Sequence, residues 1–595
     1  MRTGCILSLT TSGHGVGGAI CIDGKIVTAT TLERITREKY DIMVPISRTD
    51  LATFGWHADP QHYKNNIDLP FDLDGDYSHL DFNKLEKFDR LLHYLLDAAG
   101  IELKDVDCVA YSYRFNQSAE KYFKRRNPQV EFIVPEHHFS HACQAYLASP
   151  FNDAAIMVID GQGVPLERTG GDPLSGCLAY GKGADIQTLW DLPVSYSLGG
   201  MYSHVTKICG FKTNEECKTM GLASYGTSVL FDELKKDLKF ETKEYNLRNW
   251  RDLIERSFHP KEYLYSLGRY GKYLEQFKMR RKEDEITDTY INIAYAGQKL
   301  VEEVMIYLAN WLQKKTGSKN LCISGGVGLN CVANYQVLAN SGYENIFIYP
   351  NAGDNGLAVG QALYVHNVLR GNSRTYISDH DYLGKAYSSE DVKQAIDRYR
   401  NNDQIRIDQY ENMQELYDAM ASYIESGYIT SWWQGRSEFG PRALGNRSIL
   451  ADPRNKGMKD ILNYRVKFRE GFRPFTPSVL KERAREFFTL DVESPFMLLA
   501  PYVQPGKAEI VPAITHVDNT ARVQTVARDV NERYYDLIKA FEKKTGVPVL
   551  LNTSFNVAGE PIVETPEDAI KCFLSTDLDV LGIDNFVISK IHKVK

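Results

Sequence analysis

The sequence predicts an α/β fold with an internally duplicated first part and a separate α/β second part. Three features predict it: a strand, glycine loop, strand unit that occurs twice; two later strand-to-loop-to-helix units with glycines at the turn; and a change of pattern near residue 372. In chain order, Gly4–Thr10 is β-rich, a Ser/Gly/His loop follows, and the next strand-like run is Gly18–Ile22. Asp23-Gly24 then separates that run from Lys25–Thr30, and an Asp-Gly pair between two β-branched runs is a strong hairpin signal. The same order returns at Ala154–Asp160, the loop Gly161-Gln162-Gly163, and Leu178–Gly181.

Two copies of one supersecondary unit are the pattern of nucleotide-binding folds of the actin, sugar-kinase and Hsp70 kind, in which related halves clasp a nucleotide. Two unrelated glycine turns on ordinary strands would read the same way locally. Leu321–Asn330 and Ile346–Gly356 are the later units, and their glycines let backbone N–H groups approach phosphate or ribose closely. Leu321–Asn330 lacks the third glycine and the acidic ribose clamp of a dinucleotide fingerprint. The charged stretch 227–320 reads as mainly helical. Polar residues from Gly371 to Asp381 precede a new αβ pattern, so the expected domains are residues 1–371 and 372–595.

At 595 residues the chain has room for about two to four domains. It is 43% hydrophobic and 25% charged, which excludes a disordered or collagen-like chain. A net charge of -7 and a pI near 6.1 argue against a nucleic-acid partner. The basic runs at Lys124-Arg125-Arg126 and Arg280-Arg281-Lys282 are interleaved with acids and read as solvated helix faces. Ten scattered cysteines without a CxxC pair suit reduced thiols in the cytoplasm. The apolar run after Arg2 is only strand-length, and nowhere do about 18 apolar residues follow one another, so a soluble, unprocessed protein without a membrane partner is expected. A homo-oligomer is compatible with the sequence, which carries no signal of oligomeric state.

His137 and His141 stand four apart ahead of an Ala-rich helical run, a spacing that puts both imidazoles on one helix face. Such a pair can be incidental. Asp160 at the end of a buried-looking strand and Asp354 in a glycine loop add two acids, and two His with two Asp make a mixed N/O set suited to Fe(II), Mn(II) or Zn(II). Fe(II) is the first choice, with Mg(II) accompanying a nucleotide. Further on, Gly435–Ser448 holds Arg436, Arg442 and Arg447 among small residues and turn formers. Lys467, Arg469, Arg473, Arg522 and the run Asn552–Asn556 follow. Arginines presented by glycine turns suit a compact dianion, since guanidinium forks bind phosphate oxygens in pairs; salt bridges to nearby carboxylates are the alternative.

Taken together, His137–Ala142, Met220–Gly226, Ser324–Asn330, Gly353–Gly356, Gly440–Ser448, Phe472–Phe475 and Asn552–Asn556 resemble the O-carbamoyltransferases that include the nodulation-factor, cephamycin and tobramycin enzymes. The resemblance spans almost the whole chain in the family's order. It implies an N-terminal domain like the tRNA threonylcarbamoyl transferase subunit and a C-terminal domain like its threonylcarbamoyl-adenylate-forming partner. By position it implies metal ligands His137, His141, Asp160 and Asp354, with ATP as co-substrate held at Gly325, Gly326 and Asn330. It places carbamoyl phosphate at Arg442, Lys467, Arg473, Arg522 and Asn552. The implied reaction converts carbamoyl phosphate to carbamate, then to carbamoyl adenylate, and finally carbamoylates a hydroxyl of a small molecule.

The resemblance makes His14 the base for that hydroxyl, in the loop Ser12–Gly15 where the family often has His followed by Asp. Gly15 replaces that carboxylate here, and a histidine that merely caps the loop is the alternative. Cys217 stands where glycine is common. A fused tRNA threonylcarbamoyl-type transferase would use the same two domain types but needs a nucleic-acid footprint. A non-catalytic nucleotide and carbamoyl phosphate sensor would keep the anion pocket without an acceptor cleft. The acceptor itself has no motif.

Overall fold

A computed structural model of the chain describes residues 4–12, 15–41, 86–112, 117–163, 173–237, 241–242, 245–246 and 273–591. These divide into two compact units, drawn from within Met1–Val27, Ile42–Asp89 and Ile101–Ser378 for the first and Thr28–Asp41, Arg90–Gly100 and Asp379–Lys595 for the second.

The duplication expected from the sequence is present as two five-stranded sheets of one topology. In the first, β1 (Cys5–Ser12), β2 (Gly15–Ile22), β3 (Lys25–Thr31), β4 (Cys108–Tyr111) and β5 (Glu131–Ile133) lie in the order β3-β2-β1-β4-β5. β1 is antiparallel to β2 and parallel to β4, which is parallel to β5. The second sheet uses β6 (Asp153–Ile159), β7 (Leu174–Lys182), β8 (Asp185–Pro193), β11 (Asn320–Ser324) and β12 (Asn345–Ile348) in the order β12-β11-β6-β7-β8. Read from its far edge, that is again third, second, first, fourth, fifth, with the first three antiparallel and the rest parallel. β9 (Glu241–Thr242) and β10 (Tyr245–Asn246) form a separate ribbon.

Asp23 and Gly24 sit at φ 51° and 81°, the positive values a two-residue hairpin turn needs. Of the stretch read as helical between 227 and 320, Val229–Asp237 and the 29-residue Asp288–Thr316 are helices, β9 and β10 are not, and 247–272 lies outside the described residues. The helix His137–Leu147 is capped by Glu136, whose side chain accepts the His138 N–H at 3.0 Å. It packs beside the fully buried helix Leu357–Leu363.

The second unit is built on one mixed eight-stranded sheet. Its strands are β13 (Ile405–Gln409), β14 (Thr430–Trp433), β15 (Arg447–Ala451), β16 (Thr476–Leu480), β17 (Gln524–Val526), β18 (Val549–Ser554), β19 (Val580–Ile583) and β20 (Phe586–Lys590). They lie in the order β13-β20-β19-β14-β15-β18-β16-β17. Every residue of β14, β15, β16 and β17 is buried, the signature of strands covered on both faces. Helices Met413–Glu425 and Glu532–Thr545 pack together in this unit. Among the described residues no helix is long and apolar enough to cross a membrane. None of the ten cysteines forms a disulfide, and all but Cys217 are buried.

Candidate functional site

In the first unit the ends of three parallel strands gather polar residues. Asp160 directly follows β6, Ser324 ends β11, and Asp354 lies in the loop after β12. The helix His137–Leu147 brings its first turns to the same place. His137 Nε2 is 3.2 Å from Asp160 Oδ2 and 3.7 Å from Asp354 Oδ1, and His141 Nε2 is 3.4 Å from Asp354 Oδ1. One donor atom from each of His137, His141, Asp160 and Asp354 falls within 4.8 Å of all the others. Among the described residues this is the one group of three or more His, Cys, Asp or Glu arranged so.

The electrostatics match a cation site. Burial pulls the His137 imidazole down, but the Asp354 and Asp160 carboxylates outweigh it and raise its pKa. Burial opposes ionisation of Asp160 and Asp354, yet the histidines hold both carboxyls below the usual range. His138 is lowered well below an ordinary histidine by burial and by His137. Two imidazoles and two ionised carboxylates converging at a largely buried point suit a borderline divalent ion such as Fe(II), Mn(II) or Zn(II).

The adjacent glycine loop is tied to this group. Asp160 Oδ1 accepts the Gly326 N–H at 2.9 Å. Gly325 has φ +90°, and a Cβ there would lie 2.2 Å from the Ile159 carbonyl oxygen, so the loop can follow this path only as glycine. Asn330 caps the helix Cys331–Asn340 through the Ala333 N–H and exchanges two hydrogen bonds with Gln298. Its amide is engaged in shaping the loop. His14 lies outside the described residues. Gly15 is at φ +143°, and a Cβ there would stand 2.8 Å from the Asn355 amide oxygen, so a side chain at that position would strain the backbone and push the Asn355 amide aside.

In the second unit the loop Gly440–Asn446 enters β15, and the structure separates the three arginines around it. Arg447 is fully buried, donates to the carbonyls of Gln434, Gly435, Asn446 and Glu564, and stacks 4.1 Å from the Trp433 ring. Arg436 donates to the Leu383 and Gly384 carbonyls. Arg442 is half-buried, and its Nε has no hydrogen-bond partner. Asn552, fully buried on β18, donates to the Ala443 carbonyl, Ser478 and Gln524, while Gln524 Nε2 donates to the Leu444 carbonyl. Arg522 stands two residues before Gln524, which pairs with Ser478 across β16 and β17. Arg473 lies just ahead of β16, with Glu470 at 3.9 Å.

Lys467 is buried, and its ammonium donates to Ser554 at the end of β18 and to the Asn556 carbonyl and amide oxygens at 3.1 and 2.8 Å. Burial, with the charges of Arg469 and Arg473, pushes its pKa well below an ordinary lysine. Two acids that the sequence reading did not single out support this region. Glu438 Oε1 accepts the N–H groups of Leu444, Asn446 and Arg447 at 2.7, 2.9 and 3.3 Å. Asp381 accepts the Gly440 N–H at 2.7 Å. Glu438 lay inside a motif already noted for its arginines, but nothing in a sequence shows a side chain folding back on its own loop.

The first unit thus combines two sheets of one topology with a four-residue donor set, and the second presents the half-buried Arg442 on a loop entering an eight-stranded sheet. Comparisons with known proteins give the class of protein. Residues 5–363 match the family described as Carbamoyltransferase N-terminus and residues 421–590 the Carbamoyltransferase C-terminus. The chain belongs to the carbamoyltransferase family and is a carbamoyltransferase enzyme. It is 36% identical to nodulation protein NolNO of Sinorhizobium fredii over 85% of this chain and 75% of that one. Nodulation protein NolO of Bradyrhizobium diazoefficiens is 38% identical, over 76% of this chain and 78% of its own length. An uncharacterised protein of Synechocystis matches at 34% over 98% and 96% of the two chains. Among solved structures, full-length HypF in its phosphate- and nucleotide-bound form overlaps 62% of this chain and 47% of its own, at 14% identity and a TM-score of 0.31.

Proposed function

We propose that this carbamoyltransferase is ATP-dependent and acts on a hydroxyl of a small-molecule acceptor, with carbamoyl phosphate as donor. The observation that carries the donor assignment is Lys467. It is a buried amine bonded to Ser554 and Asn556, none of whose hydrogen-bond partners is a carboxylate, with the charges of Arg469 and Arg473 acting on it. An anion placed there would favour the charged form that burial and the neighbouring arginines otherwise disfavour, and the half-buried Arg442 would bind a phosphate oxygen pair.

In this reading the second unit binds carbamoyl phosphate through Arg442, Lys467, Arg473 and Arg522, with Asn552 bracing the loop. Water cleaves the mixed anhydride, giving carbamate and inorganic phosphate. A carbamate oxygen attacks the α-phosphorus of ATP; its bond to pyrophosphate breaks, and carbamoyl adenylate forms. The first unit uses that adenylate. There the acceptor oxygen attacks the carbamoyl carbon, AMP departs, and His14 takes the hydroxyl proton. The loop at Gly325 and Gly326 lies beside the nucleotide, and Asn330 keeps that loop in shape. His137, His141, Asp160 and Asp354 would hold a divalent ion, Fe(II) by preference, which when bound supplies positive charge next to phosphate oxygens. Ten cysteines that form no disulfide, nine of them buried, favour a reducing, cytoplasmic setting.

The test is pyrophosphate release by the purified chain with ATP and carbamoyl phosphate in the presence of Fe(II), Mn(II) or Zn(II). Release that needs both substrates supports the reading. No release with any of these ions removes the ATP-dependent step.

A further inference from the structure

We infer that Ser324 and Gln144 are positioning residues that fix which nitrogen of His141 is presented to the metal; this rests on the metal reading above. His141 is fully buried, and its Nδ1 lies 3.0 Å from Ser324 Oγ and 3.4 Å from Gln144 Oε1. The direction of each hydrogen bond follows from its neighbours. Gln144 Nε2 donates to the Asn351 carbonyl at 2.9 Å, since the flipped amide would set two oxygens against each other. Gln144 therefore presents Oε1 to Ser324, whose hydroxyl is 2.6 Å away. The other acceptor near that hydroxyl is the Ala352 carbonyl at 3.2 Å.

Ser324 has one hydrogen, and both of these neighbours are acceptors. Its oxygen is thus left to accept from His141, and Nδ1 of the neutral imidazole carries the proton. Nε2 then presents its lone pair toward Asp354 Oδ1 at 3.4 Å and Asp160 Oδ2 at 3.9 Å. A lone pair facing two carboxylate oxygens is repulsive unless a cation lies among them, which is what a metal ligand requires. The same chain of bonds reaches the other ligands. Ser324 ends β11, next to the strand that Asp160 follows, and Gln144 grips Asn351, three residues before Asp354. One buried network therefore registers the helix His137–Leu147, β11 and the loop carrying Asp354.

The experiment is chelator competition with Mn(II) and with Co(II) on the full chain, together with the visible spectrum of the Co(II) form. Ser324→Ala should weaken binding by about 10- to 100-fold and alter the Co(II) bands, while Ser324→Thr, which keeps the hydroxyl, should restore both. Gln144→Met is read in the same way, so that the proposal stays testable should one variant fail to fold. Parent-like affinity and spectrum in folded Ser324→Ala or Gln144→Met would overturn the inference. Should the parent chain itself take up neither ion, the metal reading falls and this inference with it, an outcome distinct from parent-like variants.

Discussion

Glu438→Ala is the perturbation whose cost can be worked most directly from the geometry. The side chain is 1% exposed, and one carboxylate oxygen accepts the Leu444 and Asn446 N–H groups at 2.7 and 2.9 Å, with a longer third bond to Arg447. Hydrogen bonds to a charged group contribute about 1.5–3 kcal/mol each, so the two short ones sum to roughly 3–6 kcal/mol. The parent already bears the desolvation of the carboxylate, which returns part of this and leaves about 3 kcal/mol net. In a unit of this size, 1 kcal/mol moves Tm by about 2–4 °C, so the unfolding step of the second unit should fall by about 6–12 °C in calorimetry. Glu438→Gln keeps an acceptor oxygen but loses the charge, and neutral bonds are about half as strong, so it should fall by roughly half as much. Because this loop carries Arg442, affinity for carbamoyl phosphate should drop in the same order. Parent-like melting of Glu438→Ala, or a Gln variant as damaged as Ala, would refute the reasoning.

The remaining predictions concern both units. Burial raises the Asp381 carboxyl to about 8; Glu438 adds to the rise, and the Gly440 N–H and Arg34 oppose it. The folded state therefore holds a proton that the unfolded chain releases near pH 4, and stability falls as pH climbs from about 4 to 8, by up to about 1.4 kcal/mol per pH unit. Asp381→Asn should flatten that slope in denaturant melts at a series of pH values. Arg442→Ala should weaken carbamoyl phosphate binding about 10- to 100-fold by calorimetry with little change in Tm. Arg447→Ala, which removes four hydrogen bonds to backbone carbonyls and leaves a gap beside the Trp433 ring, should melt far below the parent on a thermal scan. Restoring a divalent ion to chelator-stripped protein at about 100 times its Kd should stabilise the first unit by about 2.7 kcal/mol, read as a rise in Tm.

The duplicated fold was legible because each copy begins with local signals: β-branched runs, a glycine loop, and in the first copy an Asp-Gly turn. The eight-stranded sheet was not, since Thr430 on β14 pairs with Val580 on β19 far along the chain, and no local pattern encodes that partner. His137 and His141 announced themselves by helical spacing, and Asp160 by its place at a strand end. The structure brings these three and Asp354 together. Gln144 stands three residues after His141 on the same helix face and could have been noticed, but its bond to Ser324 depends on β11 arriving beside it. The arginines show the limit most clearly. Arg436, Arg442 and Arg447 look alike in a glycine-rich motif, and only the fold shows that two of them bind backbone carbonyls.

The most direct test of the account is to incubate the metal-loaded chain with ATP and carbon-13-labelled carbamoyl phosphate without acceptor and to analyse the nucleotides by mass spectrometry. The account predicts labelled carbamoyl adenylate together with one equivalent of pyrophosphate, both strongly reduced in Arg442→Ala when carbamoyl phosphate is held below saturation. Label remaining wholly in carbamoyl phosphate and its hydrolysis products, with ATP intact, would contradict it.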